Sequence, residues 1–365
     1  MKNIKKLLCF TLVFFSIMIS TSCGKSKEEP EKEEKKEEFD IKIASNILDT
    51  YMGYLIKEDI ESAKKLYSKE LLEKDKGLGN TELKIFGYMT DEINEVGRSG
   101  LFKVIVTRAN QNKSSCTLDM YNIKVEKEKT DYKISEINSE VEKEAFGQNN
   151  TLRNRSKNNI KTNLLIDFEG IPQYTYPKDD IGKLHKVVVP KSNFGIINFA
   201  YSGDRIAINT YDKDSFIGII KIDESLAAQG GGGGDSSGGG GQQGGSSSVG
   251  AREIPIGKEL TAIDLIFDSK VELLTFSLEE KFILVQYKKP LLGTNIRVYD
   301  VASGDLIPVS FEEKFPLGKV DVVFSSFDKD ALNFEVVEKK TTEKTLSQLI
   351  GKWQVDLKKF KMKKL

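Results

Sequence analysis

Apolar residues recur along this chain with two different periods. Ile43, Ile47, Tyr51 and Leu55, and then Ile60, Ala63, Leu66, Tyr67 and Leu71, fall at the spacing that gathers side chains on one face of an α-helix. Asp59 stands where it would cap the second of two helices joined as a short hairpin. Beyond Gly77 and Gly79 the pattern becomes strand-like. It predicts strands over Leu83–Val96, Leu101–Arg108, Ser115–Val125 and Asp131–Ile137, with turn residues such as Asn110, Gln111 and Asn112 between them. Helices followed by antiparallel strands predict an α+β domain over residues 40–148, a helical hairpin on a curved antiparallel sheet.

From about Asn158 the pattern is all-β and repeats itself. Gly195–Ile208, Glu272–Val285 and Val322–Leu332 each read strand, polar turn, strand, and each is followed by a further strand, at Phe216–Ile222, Asn295–Tyr299 and Gly351–Leu357. Phe276 and Phe324 lie 48 positions apart, a propeller-blade length. Leu164–Phe168 and His185–Val189 are candidates for a fourth unit. Residues 158–360 are therefore expected to form a small or incomplete propeller, with a β-sandwich as the alternative. Residues 229–250 interrupt the repeat: 12 of the 21 residues from Gly230 to Gly250 are glycine, which predicts a disordered insert between blades.

The amino terminus has its own pattern. Lys2, Lys5 and Lys6 precede an apolar run from Leu7 to Ile19, and small residues then lead to Cys23. As a helix the run would rise roughly 20 Å, short of the roughly 30 Å hydrocarbon core of a bilayer. Gly24–Glu38 carries seven acids, five bases and one proline and reads as a solvated tether over residues 23–39. Bases and acids balance at 55 each over the whole chain, mixed and without a basic stripe, so no nucleic-acid partner is expected.

Two resemblances follow. The leader over residues 1–22 resembles a bacterial, Gram-positive-type lipoprotein signal, although Ser20 stands where leucine is usual; a plain secretory leader is the alternative. That resemblance implies lipid (palmitate-type) attachment at Cys23, membrane lipid as a partner, and a place on the extracytoplasmic face of the cell membrane. The phrase Tyr51–Ile60 with Ala63–Tyr67 behind it resembles the nuclear transport factor 2-like superfamily. It implies a cone whose mouth holds a small ligand, here lined by Tyr54, Tyr88, Asp119 and Tyr121. Asp119, between Leu118 and Met120, equally fits an outward-facing strand residue.

Catalytic and metal signatures are sparse. His185, the only histidine, stands in a strand-like run, and the three cysteines include just one, Cys116, outside the leader and the lipid site. Asp212-Lys-Asp214 and Asp328-Lys-Asp330 lack the oxygen ligand and glycine of a calcium loop and read as blade turns; Trp353 reads as a core aromatic. No metal, no cofactor and no catalytic residue is therefore expected. The functional expectation is a nonenzymatic binding or scaffold module of the cell envelope with an envelope or membrane protein partner; the alternative is a small-ligand sensor or enzyme using the cone.

Overall fold

In the computed structural model, residues 38–74, 82–157, 159, 161–180, 182–229, 253–339 and 344–365 are described. Helix α1 (Ile41–Ile56) starts at Asp40, whose side chain accepts from Lys42 N. It buries Ala44, Leu48, Tyr51, Met52 and Leu55, while Ile43 is 44% exposed, so the buried stripe is rotated from the one led by Ile43 and Ile47. Asp59 caps α2 (Ile60–Lys64) as expected, accepting from Ser62 N. That helix stops after five residues because the chain turns to pair with the sheet: Ser68 N donates to Ile134 O and Ile134 N to Leu66 O. A third short helix, α3, spans Lys69–Lys74.

The α+β cone with a helical hairpin is thus corrected. One long helix and two short ones accompany a six-stranded antiparallel meander, β1 (Lys84–Val96), β2 (Ser99–Ala109), β3 (Ser115–Glu128), β4 (Asp131–Gln148), β5 (Thr151–Ser156) and β6 (Asn163–Asp167). The meander runs straight through the break expected between residues 148 and 158. Leu164–Phe168, offered as part of a fourth blade, contributes its edge strand instead, and His185–Val189 yields only the two-residue β8 (Val187–Val188), paired with β7 (Tyr174–Thr175).

The rest is propeller-like β structure. Three further antiparallel sheets follow the repeat in order: β9 (Asn193–Phe199), β10 (Arg205–Tyr211), β11 (Ser215–Ile222) and β12 (Gly257–Ile266); then β13 (Lys270–Phe276), β14 (Phe282–Lys289) and β15 (Gly293–Asp300); then β16 (Val320–Asp328), β17 (Ala331–Glu338), β18 (Gly351–Asp356) and β19 (Lys361–Lys364). Short helices α4 (Ser225–Gln229) and α5 (Phe311–Lys314) lie in the connections. The glycine-rich insert lies outside the described residues.

Strand alternation explains why the first sheet is apolar on both faces. On β3, Tyr121, Ile123 and Val125 meet α1, whereas Cys116 and Leu118 face the opposite way and join Phe199, Ile208, Phe216 and Phe276 in the main core. A separate core between the last two sheets gathers Leu284, Val298, Phe315, Phe334 and Trp353. Where the first sheet meets its neighbours, β1 bulges at Gly87. A Cβ there would sit 2.3 Å from Tyr201 Oη, so only glycine fits without displacement.

Candidate functional site

Asp119 is a buried and incompletely satisfied polar group on the first sheet. The register pairs Val106 with Asp119 and Arg108 with Thr117, and alternation places Arg108, Thr117, Asp119 and Tyr121 on the helix-covered face of the sheet. Asp119 is 2% exposed and is therefore not an outward-facing strand residue. Its Oδ2 accepts from Arg108 Nη1 at 3.3 Å, long beside the roughly 2.7–2.9 Å of a tight charge-assisted bond. Arg108 also donates from Nη2 to Leu83 O at 3.1 Å. Asp119 Oδ1 and Thr117 Oγ1 are enclosed without a hydrogen bond of normal geometry.

Burial pushes the Asp119 carboxyl above its ordinary 3.8, with Thr117 and then Arg108 pulling it partly back. Burial likewise raises the Tyr121 phenol, against a lowering effect of Arg108. Arg108 keeps 17% of its side chain exposed against 3% for Asp119. A carboxyl held above its usual range, with a guanidinium beside it, has the elements of acid–base chemistry and of anion stabilisation.

Of the four expected lining residues, the structure brings Asp119 and Tyr121 together. Tyr88 lies on β1 opposite Val106, two strands from Asp119, and its hydroxyl donates to Asp49 Oδ1 on α1 at 3.1 Å. Burial raises both the Tyr88 phenol and the Asp49 carboxyl. Tyr54 is half-buried at the edge of the helix-side core. Arg108 and Thr117 escaped the sequence reading. The available signal was that Phe102, Val104, Val106 and Arg108 share one strand face, so the apolar stripe ends in a charge.

A second buried polar cluster is fully satisfied. Arg297, 6% exposed, donates from Nη1 to Asp264 Oδ2 at 3.0 Å, and from Nη2 to Asp179 Oδ1 at 2.6 Å and Glu312 Oε1 at 2.7 Å. Tyr299 donates to Asp264 at 2.6 Å, and Tyr287 to Glu312. Burial works against the Arg297 charge, but the surrounding phenols and carboxylates outweigh it and hold the guanidinium protonated. With every strong group paired, the cluster ties two sheets, α5 and the 176–180 loop together.

The remaining candidates are placed plainly. The His185 side chain is 83% exposed, with Nδ1 3.7 Å from Asp180 Oδ2. Asp212 Oδ1 accepts from Asp214 N in the β10–β11 turn. Trp353 is a core aromatic, donating from Nε1 to Leu349 O and packing edge-on against Phe315. Cys23 and the leader lie outside the described residues. Among the described residues, no group of three or more His, Cys, Asp or Glu is placed to hold a metal ion, and no helix is long and apolar enough to cross a membrane.

No family model and no curated protein matches this chain, which leaves the lipoprotein and nuclear transport factor 2-like resemblances without support; both are corrected. The solved structures it is similar to include a puromycin hydrolase S511A mutant complexed with PGG, at 5% identity and TM-score 0.32 over 74% of this chain and 46% of that one. Others are prolyl oligopeptidase B from Galerina marginata, at 8% identity and TM-score 0.24 over 78% and 42%, and a putative 6-phosphogluconolactonase from Bacteroides fragilis, at 10% and 0.23 over 61% and 70%. This chain thus spans less than half the length of the first of these. The expectation of a nonenzymatic binding or scaffold module, and with it the reading as no enzyme, is not kept: the structures named are a puromycin hydrolase, a prolyl oligopeptidase and a putative 6-phosphogluconolactonase, and at TM-scores of 0.32 and below they carry no reaction over to this chain.

Proposed function

We propose that the helix-covered face of the six-stranded sheet is an acid–base site, and that the chain is a hydrolase acting on a small polar substrate at Asp119. The observation that carries this reading is a carboxyl that is 2% exposed, whose Oδ2 meets Arg108 and whose Oδ1 has Thr117 beside it without a hydrogen bond of normal geometry. In its ionised form Asp119 takes a proton from a water whose oxygen attacks a carbonyl-type carbon. The Arg108 guanidinium stabilises the negative charge that develops there, and the proton passes from Asp119 to the departing group as the bond breaks. The raised carboxyl pKa suits both steps, since the group must accept and then release a proton within one turnover. Tyr121, on the same face, supplies a hydroxyl for orientation.

The test is depletion of small molecules from a metabolite extract by the wild-type chain and by Asp119→Asn, followed by mass spectrometry. The proposal expects at least one compound consumed by the wild type and spared by Asp119→Asn, with water added across the cleaved bond. Identical extracts from the two proteins would sink it.

A further inference from the structure

Strand β4 is 18 residues long, yet its outer edge is paired only towards its two ends. At one end Ser68 N donates to Ile134 O and Ile134 N to Leu66 O, a single parallel bridge before the chain turns into α3. At the other, β5 pairs from Lys143 onward and Lys157 N donates to Glu142 O. Between these contacts Glu136–Val141 pair one to one with Lys124–Asp119 of β3, without a register shift. Alternation aims the N–H and C=O of every second residue in this stretch away from β3, and among the described residues no backbone group meets them. The open stretch spans roughly 20 Å at about 3.3 Å per residue.

An open cleft of about 830 Å³ lies along this edge, between β4 and α3. Tyr67, Leu71 and Ile137 give it an apolar side continuous with the helix-side core. On the opposite face of β4 stand Glu136 and Asn138, bonded to each other at 2.7 Å. Most charges along the edge are committed within the chain: Lys124 pairs with Glu126 at 2.5 Å, and Lys157 with Glu140 and Glu142. Glu70 and Lys74, one helical turn apart on α3, offset each other. Backbone hydrogen bonding, rather than charge, therefore selects what this edge can take.

We infer that the Glu136–Val141 edge is a docking site for an extended peptide segment of a partner protein, which adds to the first sheet as a further strand. The edge is continuous with pairing already made on both sides of it, at Ile134 and at Glu142, so an added strand completes an existing row of hydrogen bonds. Alternate side chains of that strand meet the apolar wall of Tyr67, Leu71 and Ile137, and those between them meet Glu136 and Asn138. The matching segment is one in which apolar and polar residues alternate. This docking does not depend on the acid–base reading of Asp119.

The test uses the full chain and a synthetic peptide of alternating valine and threonine, with a lysine at each end for solubility and a fluorophore for anisotropy. The peptide is made unmodified, with every valine N-methylated, and with every threonine N-methylated. A strand added to β4 turns only alternate N–H groups towards it. The chain should therefore bind the unmodified peptide and one methylated form, and bind the other more than roughly tenfold more weakly, as expected for the loss of about three hydrogen bonds. Hydrogen exchange read by mass spectrometry should show roughly half of the amides of residues 136–141 exchanging freely in the chain alone, and slowing when the unmodified peptide is added. The inference is overturned if those amides are already protected in the chain alone, which would mean that the chain covers its own edge. It is equally overturned if the two methylated forms bind alike, if no form binds, or if protection appears at another edge, such as residues 91–96 of β1, and not here.

Discussion

Asp264 offers the most demanding test of how the propeller-like region holds together. Its side chain is fully buried on β12, and each oxygen receives two donors: Oδ1 takes the backbone N–H groups of Lys178 and Leu265, and Oδ2 takes Arg297 Nη1 and the Tyr299 hydroxyl. Truncation by Asp264→Ala strands these donors in a cavity. Three neutral donors at roughly 1 kcal/mol each, and a further roughly 1 kcal/mol for Arg297, which keeps Asp179 and Glu312, give a destabilisation of about 4 kcal/mol. Asp264→Asn preserves the shape. Its oxygen can still accept from the backbone and its amide can donate to Tyr299, so only the Arg297 contact is lost, at the same roughly 1 kcal/mol. The measurement is urea unfolding followed by far-UV circular dichroism and by Trp353 fluorescence. A loss below about 1 kcal/mol for Asp264→Ala, or a larger loss for Asn than for Ala, would refute the reasoning that satisfied donors rather than packing volume make this site matter.

The folded-state pKa of Asp119 lies above 3.8, so the folded chain keeps a proton where the unfolded chain has lost it. The contribution of Asp119 is therefore complete below pH 3.8 and declines as pH rises to its folded value; the stability of the wild type relative to Asp119→Asn should fall across that window, and a difference that grows with pH would contradict it. Burial pushes the Cys116 thiol up and leaves it no exposed surface, so peptide-resolved alkylation should find Cys116 unmodified until the chain unfolds. Phe276, 1% exposed in the main core, should cost about 3–5 kcal/mol on replacement by alanine in the same denaturation assay.

Some of this was legible because it depends on local geometry. The Asp59 cap needs only the next three residues, and period-two alternation marks a strand wherever it pairs, so β1 to β3 begin and end close to their expected positions. The strand-turn-strand repeat around Phe199, Phe276 and Phe324 likewise appears as three successive meanders. Helix α1 shows where local information stops. Ile43/Ile47 and Ala44/Leu48 both form acceptable apolar stripes, and the choice between them is made by the sheet beneath, which takes the second.

The candidate site depends on more distant relations still. Arg108 and Asp119 are eleven positions apart on separate strands, and a one-residue slip in the pairing of β2 with β3 would put them on opposite faces. The extension of the first sheet through β5 and β6 follows the same logic, as does the meeting of Asp179, Asp264, Arg297 and Glu312 from four separate elements. What the amino-acid order determined by itself were periodicities, caps and repeats, since backbone geometry enforces these over a few residues. Tertiary structure alone decided strand register, the buried face of each element and which charges meet, because those depend on packing between segments far apart in the chain.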